Sequence, residues 1–341
     1  MRPFDYLYAA NRADAIGLGN SGAIAQVEAP TVAPVQYLAG GTTLIDLMKL
    51  DVMRPAALVD IGGLAAENSE IRADSDGLRL GALAKMADAA DHPDVRSHYP
   101  MIAQSLRLAA SAQLRNMASL GGNVLQRTRC PYFRDVSWRA CNKRDPGSGC
   151  AALEGFNRNL AILGASDQCI ANYPGDFAIA LAALDATVEL EGPAGRRTIP
   201  FTDLHRLPGD KPHIETTLRP GELILGFVIP AAPWTRRSLY LKIRDRQSYE
   251  FALASAAVAL DLDGGVVRQA RIALGGVAAK PWRAEVAEAA LHGQTFSESL
   301  ARTAAEAAFA EARAGGDRSF KPELGRRTLV RALMQCRSME I

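Results

Sequence analysis

At 341 residues the chain has room for two domains, or for one large domain with an appendage. Apolar residues make up 48% and charged residues 22%, the proportions of an ordinary globular protein with a sizeable core. A net charge of +2 gives no field for nucleic acid or an anionic membrane, and no apolar run approaches bilayer length. The expected partners are therefore neither.

Gly17 to Gly22 matches the spacing G-x-G-x-x-G. The segment before it, Ala9 to Ile16, reads as helix or loop, and Pro30 and Pro34 follow. A dinucleotide fingerprint needs a buried strand before it and a helix after it, so 17–22 reads as a loop. Val35 to Ala39 reads as a short strand, then come Gly40, Gly41, Thr42 and Thr43. Leu44, Leu47 and Met48 recur at helical spacing behind them, with a threonine as cap. Strand, diglycine turn and helix start gather backbone N–H groups suited to a phosphate; a plain strand-to-helix connection has the same pattern.

Leu58–Ile61 and Leu78–Leu83 read as strands separated by a polar turn at Asp74–Gly77. A helix is expected from about Met101 to Arg115, with Ile102, Leu106, Ala109 and Ala110 on one face. It leads to a second diglycine turn, Leu120 to Asn123, flanked by the Ser119 hydroxyl and the Asn123 amide. Two such turns suit the two ends of one pyrophosphate. Phe177–Leu184 reads as a helix with Asp176 at its start, where a carboxylate suits the macrodipole. Capping is the plain role for Asp176, and ligand contact the sharper one. Ala186–Leu190 alternates as a strand, Gly192–Gly195 turns, and proline-rich 207–234 marks a boundary near 232.

Residues 233–341 read as a compact α+β domain. Ser238–Arg244 is an edge or half-buried strand, and Asp263, Gly264 and Gly265 join Ala254–Leu262 to Val266–Leu274 as a hairpin. Helices follow at about 283–292, 297–314 and 321–336. The five histidines form no metal-binding motif and read as surface or satisfied rings.

Four of the five cysteines, Cys130, Cys141, Cys150 and Cys169, fall within forty residues. Disulfides need an oxidising compartment, and a chain this long needs no staples. Structural zinc usually has at least one tight knuckle of two cysteines with two to four residues between them, absent here. An iron–sulfur cluster also takes four thiolates and spans wider ligand spacings. Arg127, Arg129, Arg134, Arg139, Lys143, Arg144 and Arg158 outnumber the nearby acids, which favours an anionic cluster. Spacing alone leaves iron–sulfur, zinc and unrelated thiols open.

The chain resembles the FAD-binding medium subunit of the xanthine oxidase, or molybdenum hydroxylase, family. The resemblance rests on Ala39–Leu44 (AGGTTL), Gln113–Asn116 with Ser119–Asn123, Pro174–Asp176, and Arg271–Val277 through Lys280–Ala284. Within that family, Cys130–Asp135 and the stretch from Cys141 through Gly155 resemble the insert of bacterial aldehyde oxidoreductases, whose flavin subunit carries an extra [4Fe-4S] cluster. The implied fold is α+β: a two-subdomain, PCMH-type FAD-binding domain at 1–232, carrying a cluster-binding insertion at about 126–170, and a C-terminal domain at 233–341.

By that resemblance FAD lies between the subdomains, on Gln36, Tyr37, Leu38, Ala39, Gly40, Gly41, Thr42, Thr43 and Leu44 and on the second turn. Ser119, Gly122 and Asn123 hold its phosphate or ribityl region, Asp176 another part, and Lys242 approaches the flavin ring. Ser119 stands where the family usually has threonine. Cys130, Cys141, Cys150 and Cys169 hold the [4Fe-4S] cluster. The implied partners are a small subunit with [2Fe-2S] clusters and a large subunit with the molybdenum cofactor, in a heterotrimer or its dimer. The expected function is electron transfer from the [2Fe-2S] clusters through FAD to an external acceptor, within an aldehyde oxidoreductase. Aldehyde chemistry falls to the molybdenum subunit, so no catalytic residue is expected here. The other readings are a zinc-binding scaffold or assembly subunit and a stand-alone flavin oxidase. Residues 1–6 lack the apolar core of a secretory signal, so the expected compartment is the cytoplasm, or the periplasm on a partner's signal.

Overall fold

Three sheets, each built from its own stretches of chain, organise the molecule; the computed structural model describes residues 1–21 and 29–341. The first sheet is parallel. Its strands are β1 (Asp5–Tyr8), β2 (Val35–Leu38) and β3 (Ala57–Asp60), in the order β1-β3-β2, with Asp5 and Val35 both in register with Ala57. Parallel neighbours need crossover connections, and helices Arg12–Ser21 and Leu44–Lys49 lie in them. Successive β3 residues point to opposite faces. Leu58 packs with Leu47 and Met48, whereas Val59 packs with Ala15.

The expected loop at 17–22 is corrected, because 17–21 is the end of the first helix. The Asn11 side chain starts that helix by accepting the Asp14 N–H (2.9 Å), a local bond that outweighs the two glycines inside it. Gly22 lies outside the described residues. The glycines therefore sit within a helix and not at its phosphate-binding start.

The second sheet is antiparallel: β4 (Ile71–Asp74), β5 (Gly77–Gly81), β6 (Thr187–Gly192), β7 (Gly195–Pro200) and β8 (Leu223–Pro230), in the order β4-β5-β8-β6-β7. The central strand β8 comes from the proline-rich stretch that reads as a boundary. Pro220 and Pro230 bracket a run buried too continuously to show strand alternation. Helix Phe177–Ala183 is apolar all round and every residue in it is buried, as a core helix requires. Its Phe177 ring meets Phe227 of β8 edge to face, with centroids 5.7 Å apart.

The expected helix 101–115 is two helices, Pro100–Leu108 and Ala112–Met117. Ala110 takes a left-handed conformation (φ +49°) between them, and Ser111 caps the second by accepting the Leu114 N–H (3.3 Å). The break leaves the Leu108 carbonyl free to accept from Lys242 (3.1 Å) and Arg244 (3.2 Å).

The third sheet runs β12 (Trp282–Arg283), β11 (Val266–Gly275), β10 (Ala254–Asp263), β9 (Ser238–Ile243), with β9 at an edge as its alternation implies. Gly264 and Gly265 both have positive φ (+57° and +88°), as a primed two-residue hairpin turn requires. Val258, Leu260 and Ile272 pack beneath helices Glu285–Leu291, Glu298–Ala308 and Lys321–Arg337. Ala257, Ala259 and Ala273 face the core of the second sheet. The middle helix stops at Ala308, six residues short of expectation, where small and charged residues give way to Gly315 and Gly316. Among the described residues no helix is long and apolar enough to cross a membrane.

Residues 126–170 contain one helical turn, Pro131–Arg134, and otherwise irregular backbone. That backbone is tied to the third sheet and its helices. Ile162 and Leu163 donate to the Val277 carbonyl (2.8 and 3.0 Å), and Arg313 N–H donates to Ile162. The buried Lys321 ammonium donates to Leu160 (2.9 Å) and Gly276 (2.6 Å) carbonyls.

Burial lowers the Lys321 ammonium from its ordinary 10.5 to about 7, helped by the nearby Arg318 and Arg158. Between those values the unfolded chain holds the proton and the folded chain releases it, so this group's contribution to stability rises with pH; below about 7 both states are protonated and the desolvation penalty is fully present. The urea stability of wild type relative to Lys321→Met should therefore increase from pH 7 to pH 10. A difference that stays flat across that range would show that the buried lysine keeps its ordinary proton affinity.

Candidate functional site

A cavity of about 450 Å³, within the range that holds cofactors, lies between β2 of the first sheet and the start of β8 in the second. Of the segment Gln36–Leu44, every residue except Leu38 lines it. Ser119 and Gly122 line it as well; Asn123, Asp176 and Lys242 do not.

The turn after β2 leaves no room for side chains. A Cβ on Gly40 would lie 2.1 Å from the Met117 carbonyl oxygen, and Gly41 has φ +70°. Ile45 N–H returns to Gly41 O (3.0 Å) and Leu47 N–H to Thr43 O (3.0 Å). The N–H groups of residues 42–44 precede that ladder and are the ones a helix start leaves for a ligand. The expected threonine cap is corrected: Thr43 holds the cap position, but its side chain makes no capping bond and stays available to the cavity.

The second turn differs from expectation. Leu120–Val124 is a short helical turn, capped by the Ser119 hydroxyl accepting from Gly122 N–H (3.2 Å). Gly121 N–H donates to Ala82 O and Asn123 N–H to Ser119 O, both at 2.8 Å. Its backbone donors are thus used within the chain. What it offers a ligand is close approach at Gly122 and the hydroxyl of Ser119.

Three polar atoms with no hydrogen-bond partner among the described residues gather in this region: Asn123 Oδ1, Arg127 Nη2 and His205 Nδ1. Arg127 and His205 line the cavity. His205 corrects the plain reading of the histidines. Burial lowers its imidazole to about 4, so it is neutral; Nε2 donates to the Val124 carbonyl (3.0 Å), which leaves Nδ1 as an acceptor. The Tyr173 ring meets the imidazole edge on (4.7 Å). A buried, unpaired acceptor in a cavity wall is what a polar ligand would satisfy. In sequence nothing distinguishes His205 from the other four. Tyr37 turns its hydroxyl away to the Ala15 (3.1 Å) and Gly221 (3.0 Å) carbonyls, and burial raises it to about 12.

Asp176 and Lys242 are brought to each other. Asp176 is 4% exposed; its carboxylate accepts from Lys242 Nζ (2.8 Å) and from the Tyr240 hydroxyl (2.6 Å) and makes no capping bond. The plain role expected of Asp176 is therefore not the one observed.

Cys130, Cys141, Cys150 and Cys169 converge on a second, small cavity of about 10 Å³, which Cys336 does not share. No two are joined as a disulfide. Burial pushes the Cys130 thiol up to about 12 and raises Cys141 and Cys169 as well. Backbone N–H groups oppose this: those of Phe133 and Tyr132 at Cys130, those of Arg144 and Lys143 at Cys141, and that of Ala171 at Cys169 (3.5 Å). Among the described residues no group of three or more His, Cys, Asp and Glu is arranged to hold a metal ion. The cationic surround is largely paired. Arg127 and Lys143 bind Glu215, Arg129 and Arg134 bind Asp46, and Arg158 binds Asp245. Arg144 caps the Tyr132 (2.6 Å) and Phe133 (2.9 Å) carbonyls.

Comparison with known proteins gives two family matches: residues 2–232 with the FAD binding domain in molybdopterin dehydrogenase, and residues 239–336 with the CO dehydrogenase flavoprotein C-terminal domain. The chain is 46% identical over 320 residues to the aldehyde oxidoreductase FAD-binding subunit PaoB of Escherichia coli, covering 94% of this chain and 96% of that one. It is 27% identical to the glyceraldehyde dehydrogenase medium chain of Sulfolobus acidocaldarius, over 78% of this chain and 76% of that one. Among solved structures, carbon monoxide dehydrogenase from Hydrogenophaga pseudoflava, in a form lacking the Mo-pyranopterin moiety, superposes with TM-score 0.75 at 26% identity, covering 99% of this chain and 98% of that one.

Gly40→Ala should weaken flavin retention about tenfold or more, since each ~1.4 kcal/mol of lost fit is one decade. Gly17→Ala has no heavy atom within 4 Å of its new Cβ and should leave retention unchanged while stabilising its helix by about 0.5–1 kcal/mol. Flavin absorbance per chain after dialysis measures the contrast. Equal flavin content in the two variants would remove the Gly40 turn from the binding wall.

Proposed function

The chain belongs to the family of FAD-binding subunits of molybdopterin dehydrogenases, and on that premise we propose that it is the flavin- and cluster-carrying electron-transfer subunit of a molybdenum-dependent aldehyde oxidoreductase. The observation that carries the reading is the convergence of four thiols, up to 39 positions apart in sequence, on one pocket beside the flavin cavity. FAD would lie in the larger cavity, its phosphates toward the N–H groups of 42–44 and the Ser119 hydroxyl. His205 Nδ1 and Arg127 Nη2 would supply polar contacts. Asp176 and Lys242 would reach the flavin only through a rearranged pair or as its outer support. Once bound, FAD supplies the capacity to take and release electrons singly or in pairs.

Residues 1–232 would form the flavin unit, with 126–170 as its cluster-binding insertion, and 233–341 the C-terminal unit. Cys130, Cys141, Cys150 and Cys169 would hold a [4Fe-4S] cluster. The backbone N–H groups aimed at the sulfurs suit anionic thiolates. Because burial raises the Cys130, Cys141 and Cys169 thiols, loading would release their protons, so cluster retention would weaken as pH falls. The small [2Fe-2S] subunit and the large molybdenum-cofactor subunit would be the partners, electrons would leave to an external acceptor, and the compartment would be that of the complex.

Metal, acid-labile sulfide and flavin analysis of the complex, with and without Cys150→Ser, tests this. The substitution should remove the iron and sulfide of one cluster and its electron paramagnetic resonance signal while flavin content holds. Iron unchanged by the substitution, or zinc in place of iron, would refute the cluster assignment.

A further inference from the structure

Lys143 and Ala171 line both cavities, so at that point a single layer of side chain faces each site. The Lys143 side chain is 10% exposed, and its ammonium donates to Glu215 Oε1 (3.0 Å) and to the Pro212 carbonyl (2.9 Å). Glu215 lines the larger cavity and binds Arg127 as well. Burial pushes the Glu215 carboxyl up, but Arg127 and Lys143 together more than offset it and hold it below the ordinary range. Arg127 and Glu215 line only the larger cavity, so of these three charged groups Lys143 alone stands in the shared wall, and the group as a whole carries one net positive charge.

Resting on the reading of the four thiols as a cluster site, we propose that Lys143 is the residue through which the two sites sense each other: held by Glu215 and Pro212, its ammonium raises the cluster's reduction potential and links it to the charge carried in the neighbouring cavity. Each electron delivered by a chemical reductant adds one negative charge to the cluster and makes or breaks no bond. A fixed cation across a poorly solvated wall favours that added charge. Lys143 acts here as a positioning and tuning residue.

The test is a redox titration of the assembled complex with dithionite, followed by electron paramagnetic resonance, for wild type, Lys143→Met, Lys143→Arg and Glu215→Gln. Removing the cation should lower the cluster's midpoint potential, removing the carboxylate should raise it, and arginine should restore the wild-type value. A merely structural staple would change stability without these opposite shifts. Identical potentials in wild type, Lys143→Met and Glu215→Gln would overturn the inference. If Lys143→Met fails to keep its cluster, Glu215→Gln decides alone: an upward shift supports the role and no shift overturns it. A wild-type complex with no signal beyond those of its partner subunits would overturn the cluster assignment and this inference with it.

Discussion

Irregular backbone in a protein interior persists only if its N–H and C=O groups find partners, and that constraint governs residues 126–170. Lacking strands, this segment borrows its partners. Val277 accepts from Ile162 and Leu163, Arg313 donates to Ile162, and Arg318 and Lys321 reach the Ala161 and Leu160 carbonyls. Arg144 performs the same service within the segment. The thiol pocket therefore belongs by sequence to the flavin unit but depends for its shape on the C-terminal helices.

Elements with a strong local signature were readable. The Asp263-Gly264-Gly265 hairpin, the strand and helix around Gly40 and the apolar helix at Phe177 all lie where patterning puts them. Strand β8 was hidden, because a central strand buried on both faces loses its alternation and its flanking prolines imitate a linker. β1 and β7 are exposed edge strands of their sheets; β1 is only four residues long, and β7 (GRRTIP) carries one aliphatic residue, so neither shows a clear pattern. The break at Ala110 was unreadable for another reason: it is stabilised by Lys242 and Arg244, which lie more than 130 positions away.

The site shows the same division. That Gly40 and Gly41 must be glycine follows from the Met117 carbonyl and from a positive φ, and the diglycine itself was a sufficient signal. The second diglycine looked equivalent, yet its donors are consumed by Ala82 and Ser119. Identical residue pairs thus have different chemical value, set by which neighbours reach them first. His205 makes the converse point. Its importance lies in one unsatisfied nitrogen, a property of the packing around Val124 and Tyr173 that no motif encodes.

The Asp176–Lys242 pair limits how the proposed flavin site can be dissected. Both side chains are nearly buried (5% and 1% exposed), and the Tyr240 hydroxyl adds a second bond to the carboxylate. Removing one partner of such a pair strands the other charge in a poor solvent, at a cost of about 3–5 kcal/mol. Loss of flavin on replacing Lys242 by alanine would then report a damaged fold as readily as a lost contact. Replacing both partners together with residues of similar volume removes the charges without stranding either, and only that change separates support of the fold from contact with the cofactor.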